Sequence, residues 1–181
     1  MRKLLAVLIF SLMVVNISYA EQKATPQKAT ANAKDKFVVQ TITGKQMVIY
    51  GTSKGMEIPA YKGKVVMIEF WGTHCPPCRA SIPHYIDIMK KYGKKVALLA
   101  IEAQNTSKST LIDFVKSKGI NYDVAAYSDA GRFVEYVAQR AGWKGSIPFL
   151  IILDTKGEVY TMQVGMLPEK SIVKVLKKLM K

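Results

Sequence analysis

The only two cysteines of the chain stand three residues apart, in Cys75-Pro76-Pro77-Cys78. Two thiols at that spacing can close a disulfide, exchange it with another molecule, or hold a soft metal ion. Context decides between these uses. A buried-strand pattern, Val65 to Phe70, runs into the motif, and the two prolines stand where a helix should begin, a place that tolerates proline. A helix N-terminus presents unpaired N–H groups and the positive end of the helix dipole, both of which favour thiolate over thiol at Cys75. Cys75 is therefore expected to be the exposed nucleophile. Cys78, about a turn inside the helix, is expected to be the less accessible thiol that resolves a mixed disulfide. A purely structural bridge closing so small a loop would restrain the unfolded chain little, and a Pro-Pro insert at a helix start is an odd setting for inert core thiols.

A metal site is the competing chemistry. Both histidines, His74 and His84, flank the pair, and Cys and His suit copper or zinc. On a helix His84 would lie about 120° round the axis from Cys78 and roughly 9 Å along it, which makes it a surface histidine. His74 can join Cys75 and Cys78 as a third ligand, but no fourth is evident. A copper-binding module built on these three residues stays open as an alternative, and no resident cofactor is expected.

The elements that must position this motif follow from periodicity. Phe37–Ile42 and Met47–Tyr50 read as strands of an N-terminal hairpin turning at Gly44-Lys45. Val65–Phe70, Val96–Ile101 and Phe149–Leu153 are apolar runs of buried strands, with a single acid, Glu69, inside the first. Helices are expected from Pro76 to about Lys91, over Thr110–Lys118 with a stop at Gly119, over Arg132–Ala141, and from Pro168 to the end. Tyr122–Tyr127 reads as a short strand, and Val159–Val164 as the hairpin partner of Phe149–Leu153. Strands alternating with helices predict an α/β fold with a mixed central sheet flanked by helices in three layers.

The chain ends have other roles. Arg2 and Lys3, the apolar run Leu4–Val15 and the small residues at Ser18 and Ala20 make residues 1–20 a signal peptide. The apolar run is shorter than the ~20 residues of a spanning helix, so cleavage is favoured over an uncleaved anchor. Residues 21–36 are polar and repeat Gln-Lys-Ala-Thr, which makes them a flexible linker. Residues 37–181 remain for one domain. The 181 residues carry a formal charge of +14, and loss of Arg2 and Lys3 leaves about +12. Lys170, Lys174, Lys177, Lys178 and Lys181 crowd the last helix opposite an apolar stripe of Ile172, Val175, Leu176 and Leu179. That is a solvated face first, and a weak contact for an anionic membrane second. Export and the lack of a recognition motif exclude nucleic acid.

The stretch Glu69-Phe70-Trp71-Gly72-Thr73-His74-Cys75-Pro76-Pro77-Cys78 resembles the active-site region of thioredoxin-like proteins, especially the exported TlpA, ResA and CcmG branch. Phe70, Trp71, Gly72, Pro77 and Pro83 match that pattern, as does Gly145-Ser146-Ile147-Pro148 followed by an apolar strand and Lys156-Gly157. The resemblance implies a thioredoxin-like fold and a thiol–disulfide oxidoreductase acting on protein thiols and disulfides. It implies a cis Ile147–Pro148 bond facing the cysteines and shaping a docking loop, with Trp71, His74, Pro76, Pro77 and Ile147 forming the docking surface around the pair. It favours a periplasmic reductase, with cytochrome c maturation as a role, supplied with electrons by a membrane partner; the same atoms can also run as an oxidase. Glu69 stands where thioredoxins carry a buried acid. A carboxyl in a buried strand has a raised pKa, and Glu69 is expected to take a proton from Cys78 during resolution, unless it pairs with a lysine or points outward. Three departures stand out: His74 replaces the usual Trp, Ser81 stands where reductases of the branch carry Glu, and Pro76 removes an N–H. With no dimerisation segment in sight, a monomer is expected.

Overall fold

The computed structural model describes residues 35–181; residues 1–20, expected as a signal peptide, and residues 21–34 of the expected linker lie outside the described residues. Five strands form the central sheet. β4 (Val65–Trp71), β5 (Val96–Glu102) and β6 (Asp123–Ala125) run parallel, while β7 (Phe149–Leu153) pairs antiparallel with β4 and β8 (Val159–Val164) pairs antiparallel with β7. The spatial order is β6-β5-β4-β7-β8. β4 and β5 are buried at every position. Strands covered on both faces cannot alternate, and this is why their sequences read as continuous apolar runs.

Alternate residues of β4 face opposite layers. Val66, Ile68 and Phe70 pack with Phe133, Val134 and Val137 of α3 (Tyr127–Ala141) and with Phe37 and Val39 of the N-terminal sheet. Val65 and Met67 pack on the other side, against Tyr85 and Ile88 of α1 (Pro76–Tyr92) and Ile172 and Leu176 of α4 (Glu169–Leu179). Trp71, on that same side, joins Ile82 of α1 and Leu111 of α2 (Lys108–Lys118). The result is the three-layer thioredoxin-like arrangement.

The N-terminal hairpin of β1 (Lys36–Gln40) and β2 (Gln46–Gly51) gains a third strand, β3 (Met56–Glu57). Two residues are too short to carry a periodic pattern, so the sequence did not mark it. α3 starts at Tyr127 rather than Arg132. Ser128, Asp129 and Gly131 look like turn residues, but Ala130 is buried in the core, and its packing outweighs the ~1 kcal/mol that a helical glycine costs. α2 begins two residues earlier than expected, where the Ser107 hydroxyl accepts the Thr110 N–H at 3.2 Å. It ends as read, at Gly119 in the left-handed region.

Candidate active site

At its C-terminal end β4 leaves the sheet centre, and Gly72-Thr73-His74 turns the chain into α1. Cys75 is the residue that caps this helix. Its backbone is extended, and its Sγ accepts the Cys78 N–H at 3.3 Å. Pro76 and Pro77 fill the first two helical positions, where a missing N–H breaks no intrahelical bond. Cys75 and Cys78 are joined by a disulfide, with their Cα atoms 5.3 Å apart. The geometry therefore pairs a nucleophile position at the helix mouth with a second sulfur one turn in.

Cys75 is 6% exposed and Cys78 1%. Their order is the expected one, but Cys75 is not the openly exposed residue the sequence suggested. Both sulfurs share a cluster with Trp71, Ile82 and Leu111, and the exposed rim is made by His74, Pro76 and Pro77. Trp71 departs further from expectation. It is 2% exposed and packs against the Phe114 ring at 5.7 Å, so it supports the motif from beneath and offers no docking surface. The Ile147–Pro148 bond is cis. Ile147 is half-buried against the cluster that holds both cysteines, while Pro148 is buried and its carbonyl accepts the Gly165 N–H at 2.8 Å.

Glu69 lies on the same face of β4 as Met67 and Trp71, between the clusters under Tyr85 and around Cys78. It is 2% exposed, which removes the outward-pointing alternative. Burial raises its pKa from 4.5 to about 8, opposed by a hydrogen bond from the Tyr85 hydroxyl. Its partner is thus a tyrosine on α1 rather than a lysine, and its Oε1 has no hydrogen-bond partner among the described residues. A buried carboxyl of that kind can hold or take one proton near neutrality.

A second buried acid escaped the sequence reading, which ended the strand at Ile101. Glu102 closes β5, opposite Trp71 in register, and is fully buried. Its carboxylate organises the next loop: Gln104 N–H donates to Oε1 at 3.2 Å, Thr106 N–H to Oε2 at 2.9 Å, and the Thr106 hydroxyl to Oε1 at 2.8 Å. Thr106 in turn meets the Thr73 hydroxyl at 2.9 Å, and Thr73 meets His74 Nδ1 at 3.0 Å. The Gln104 side chain crosses over Gly72 to accept the His74 N–H at 2.9 Å. A Cβ at position 72 would collide with that Gln104 amide, so any larger residue there would displace the Gln104 side chain from the His74 N–H. An acid at the end of an apolar strand followed by Gln and Thr was the available signal.

Among the described residues, no group of three or more His, Cys, Asp or Glu side chains is placed to hold a metal ion. The Cys75–Cys78–His74 copper site is therefore not assembled in this structure: both sulfurs bond to each other, and Nδ1 of His74 is turned to Thr73.

Residues 51–162 match the AhpC/TSA family. The chain belongs to that family. It is 28% identical to the thiol-disulfide oxidoreductase ResA of Bacillus thuringiensis (strain Al Hakam) over 144 residues, which cover 79% of this chain and 74% of that protein. Its fold is that of StoA from Bacillus subtilis, with a TM-score of 0.59 at 18% identity over 78% of this chain and 96% of that one. A thiol:disulfide interchange protein from Chlorobium tepidum TLS superimposes with a TM-score of 0.61 at 23% identity, over 84% of this chain and 99% of that one. With a Cys-x-x-Cys pair on this fold, the protein is a thiol–disulfide oxidoreductase of the ResA type.

Proposed function

We propose that the protein is an exported, monomeric reductase of protein disulfides, working in the periplasm with electrons from a membrane partner, and that apocytochrome c is a substrate. The observation that carries the reducing direction is the start of α1. A strongly oxidising dithiol protein must stabilise its thiolate heavily. Pro76 and Pro77 remove two of the N–H groups at the helix N-terminus beside Cys75, and among the described residues its Sγ accepts the Cys78 N–H. Less thiolate stabilisation favours the disulfide form, so the dithiol gives its electrons away readily. Export rests on the pattern of residues 1–20. The exposed lysines of α4 suit a weak contact with anionic lipid near the electron donor.

Cys75 attacks the partner disulfide and Cys78 resolves the mixed disulfide. Glu69 accepts the Cys78 proton, and the cis-Pro148 loop with Ile147 receives the partner's backbone. The dithiol form should reduce a model protein disulfide, losing its own two thiols as the substrate gains two for each bond cleaved. The Cys78→Ser protein should accumulate a mixed disulfide through Cys75, and Cys75→Ser should be inactive. Full activity of Cys75→Ser would contradict the assignment of the attacking sulfur.

A further inference from the structure

Complete reduction of a partner disulfide ends with a proton on each of the partner's two sulfurs, and a protein group that hands one over speeds the departure of a basic thiolate. Glu69 lies in the buried layer beneath α1, where the function proposed above assigns it to Cys78; the partner's sulfur departs at the surface. The chain of contacts from Glu102 to His74 supplies a candidate, and proton counting along it fixes the state of the imidazole. Each threonine hydroxyl has one proton to give. Thr106 gives its proton to Glu102, so at the Thr73–Thr106 contact Thr73 must be the donor. Thr73 has then spent its proton, and at its contact with His74 only a lone pair remains. His74 Nδ1 must therefore carry the hydrogen. Nε2 is left as the nitrogen free to take or give a proton, on an exposed side chain next to Cys75. The chain is anchored at its far end by a fully buried carboxylate with three donors, and Gln104 holds the His74 backbone.

We propose that His74 is the proton donor and acceptor for the partner's sulfur, and that Glu102, Thr106 and Thr73 are positioning residues that fix its Nδ1–H tautomer. The proposal rests on Cys75 being the attacking sulfur. In the forward step the Cys75 thiolate attacks one sulfur of R–S–S–R′. The Cys75–S–R bond forms, the S–S bond of the partner breaks, and its electron pair leaves on R′–S⁻. His74, protonated at Nε2, gives that proton to form R′–SH and regains one from water. In the reverse direction neutral Nε2 takes the proton from R′–SH.

The tautomer is read by long-range proton–nitrogen NMR on the full chain in its disulfide form with labelled histidine. The chain has two histidines, so His84→Gln assigns the signals. Neutral His74 should show a protonated Nδ1 and a bare Nε2; Thr73→Val should reverse this, and Thr73→Ser should restore it. A protonated Nε2 in the neutral wild type, or a tautomer indifferent to Thr73→Val, would overturn the positioning chain. This measurement needs no turnover, so it stands even if the direction of electron flow proposed above is wrong. The second readout is leaving-group dependence. His74→Gln should slow attack on an aliphatic disulfide about 10²-fold more than attack on an aromatic disulfide, because an aromatic thiolate departs without a proton. Equal rates or equal losses with both disulfides would refute the proton-transfer role.

Discussion

At the scale of single residues, Glu69 couples the site to pH in two measurable ways. Folded Glu69 holds its proton to about pH 8, against an ordinary value of 4.5. The folded state therefore binds the extra proton between those values. The stability this group allows is fully present below 4.5 and is lost as the pH rises through 8. The loss is on the order of 5 kcal/mol over that whole range, and on the order of 4 kcal/mol when it is followed from pH 5. Urea unfolding of the disulfide form at pH 5 and pH 9 should show it in the wild type and not in Glu69→Gln. The proposed relay ties the same proton to a rate. If the Glu69 carboxylate accepts the Cys78 proton, release of the mixed disulfide should accelerate with pH up to about 8 in the wild type, and Glu69→Gln should lose that inflection. The acid itself was legible as a lone charge in an apolar run. Its partner was not: Tyr85 lies sixteen positions away on another element, and only the packing of α1 on β4 brings the two together.

At the scale of elements, the N-terminus of α1 tunes the sulfur. Replacing Pro76 by Ala restores an N–H beside the Cys75 thiolate. Its redox equilibrium with glutathione should move in the oxidising direction by about 30 mV, the equivalent of one hydrogen bond of ~1.4 kcal/mol for a two-electron couple. An unchanged or more reducing potential would count against the missing amides as the cause. The β5–α2 loop supports the motif from the other side. Gly72→Ala should displace Gln104 and free the His74 amide, seen as faster hydrogen exchange at His74 N–H with α1 still protected. Elements with strong periodicity, β4, β5, β7 and α1, were readable within a residue or two because their apolar runs have no other use. β3 and the first turn of α3 were not, since one is two residues long and the other is written in turn-forming residues that burial overrides. Sequence likewise placed Trp71 at the docking surface, whereas its size suits it to the space beneath α1.

At the scale of the whole molecule, the two buried acids divide the site. Glu69 lies buried on the sheet face beneath α1, in the place the proposed relay to Cys78 requires, and Glu102 reaches the rim through two threonines. Both end up at the site because β4 and β5 run parallel and adjacent, which puts their C-terminal ends together. No described helix is long and apolar enough to cross a membrane. The central claim is that Cys75 and Cys78 form a reducing couple. The measurement that tests it most directly is the equilibrium of the purified protein with glutathione and dithiothreitol buffers, read as the fraction of Cys75–Cys78 disulfide. The account predicts a potential more negative than about −230 mV, beyond the glutaredoxin range and toward thioredoxin. A potential near the −120 mV typical of a strong thiol oxidase, about −120 mV for DsbA, would contradict it.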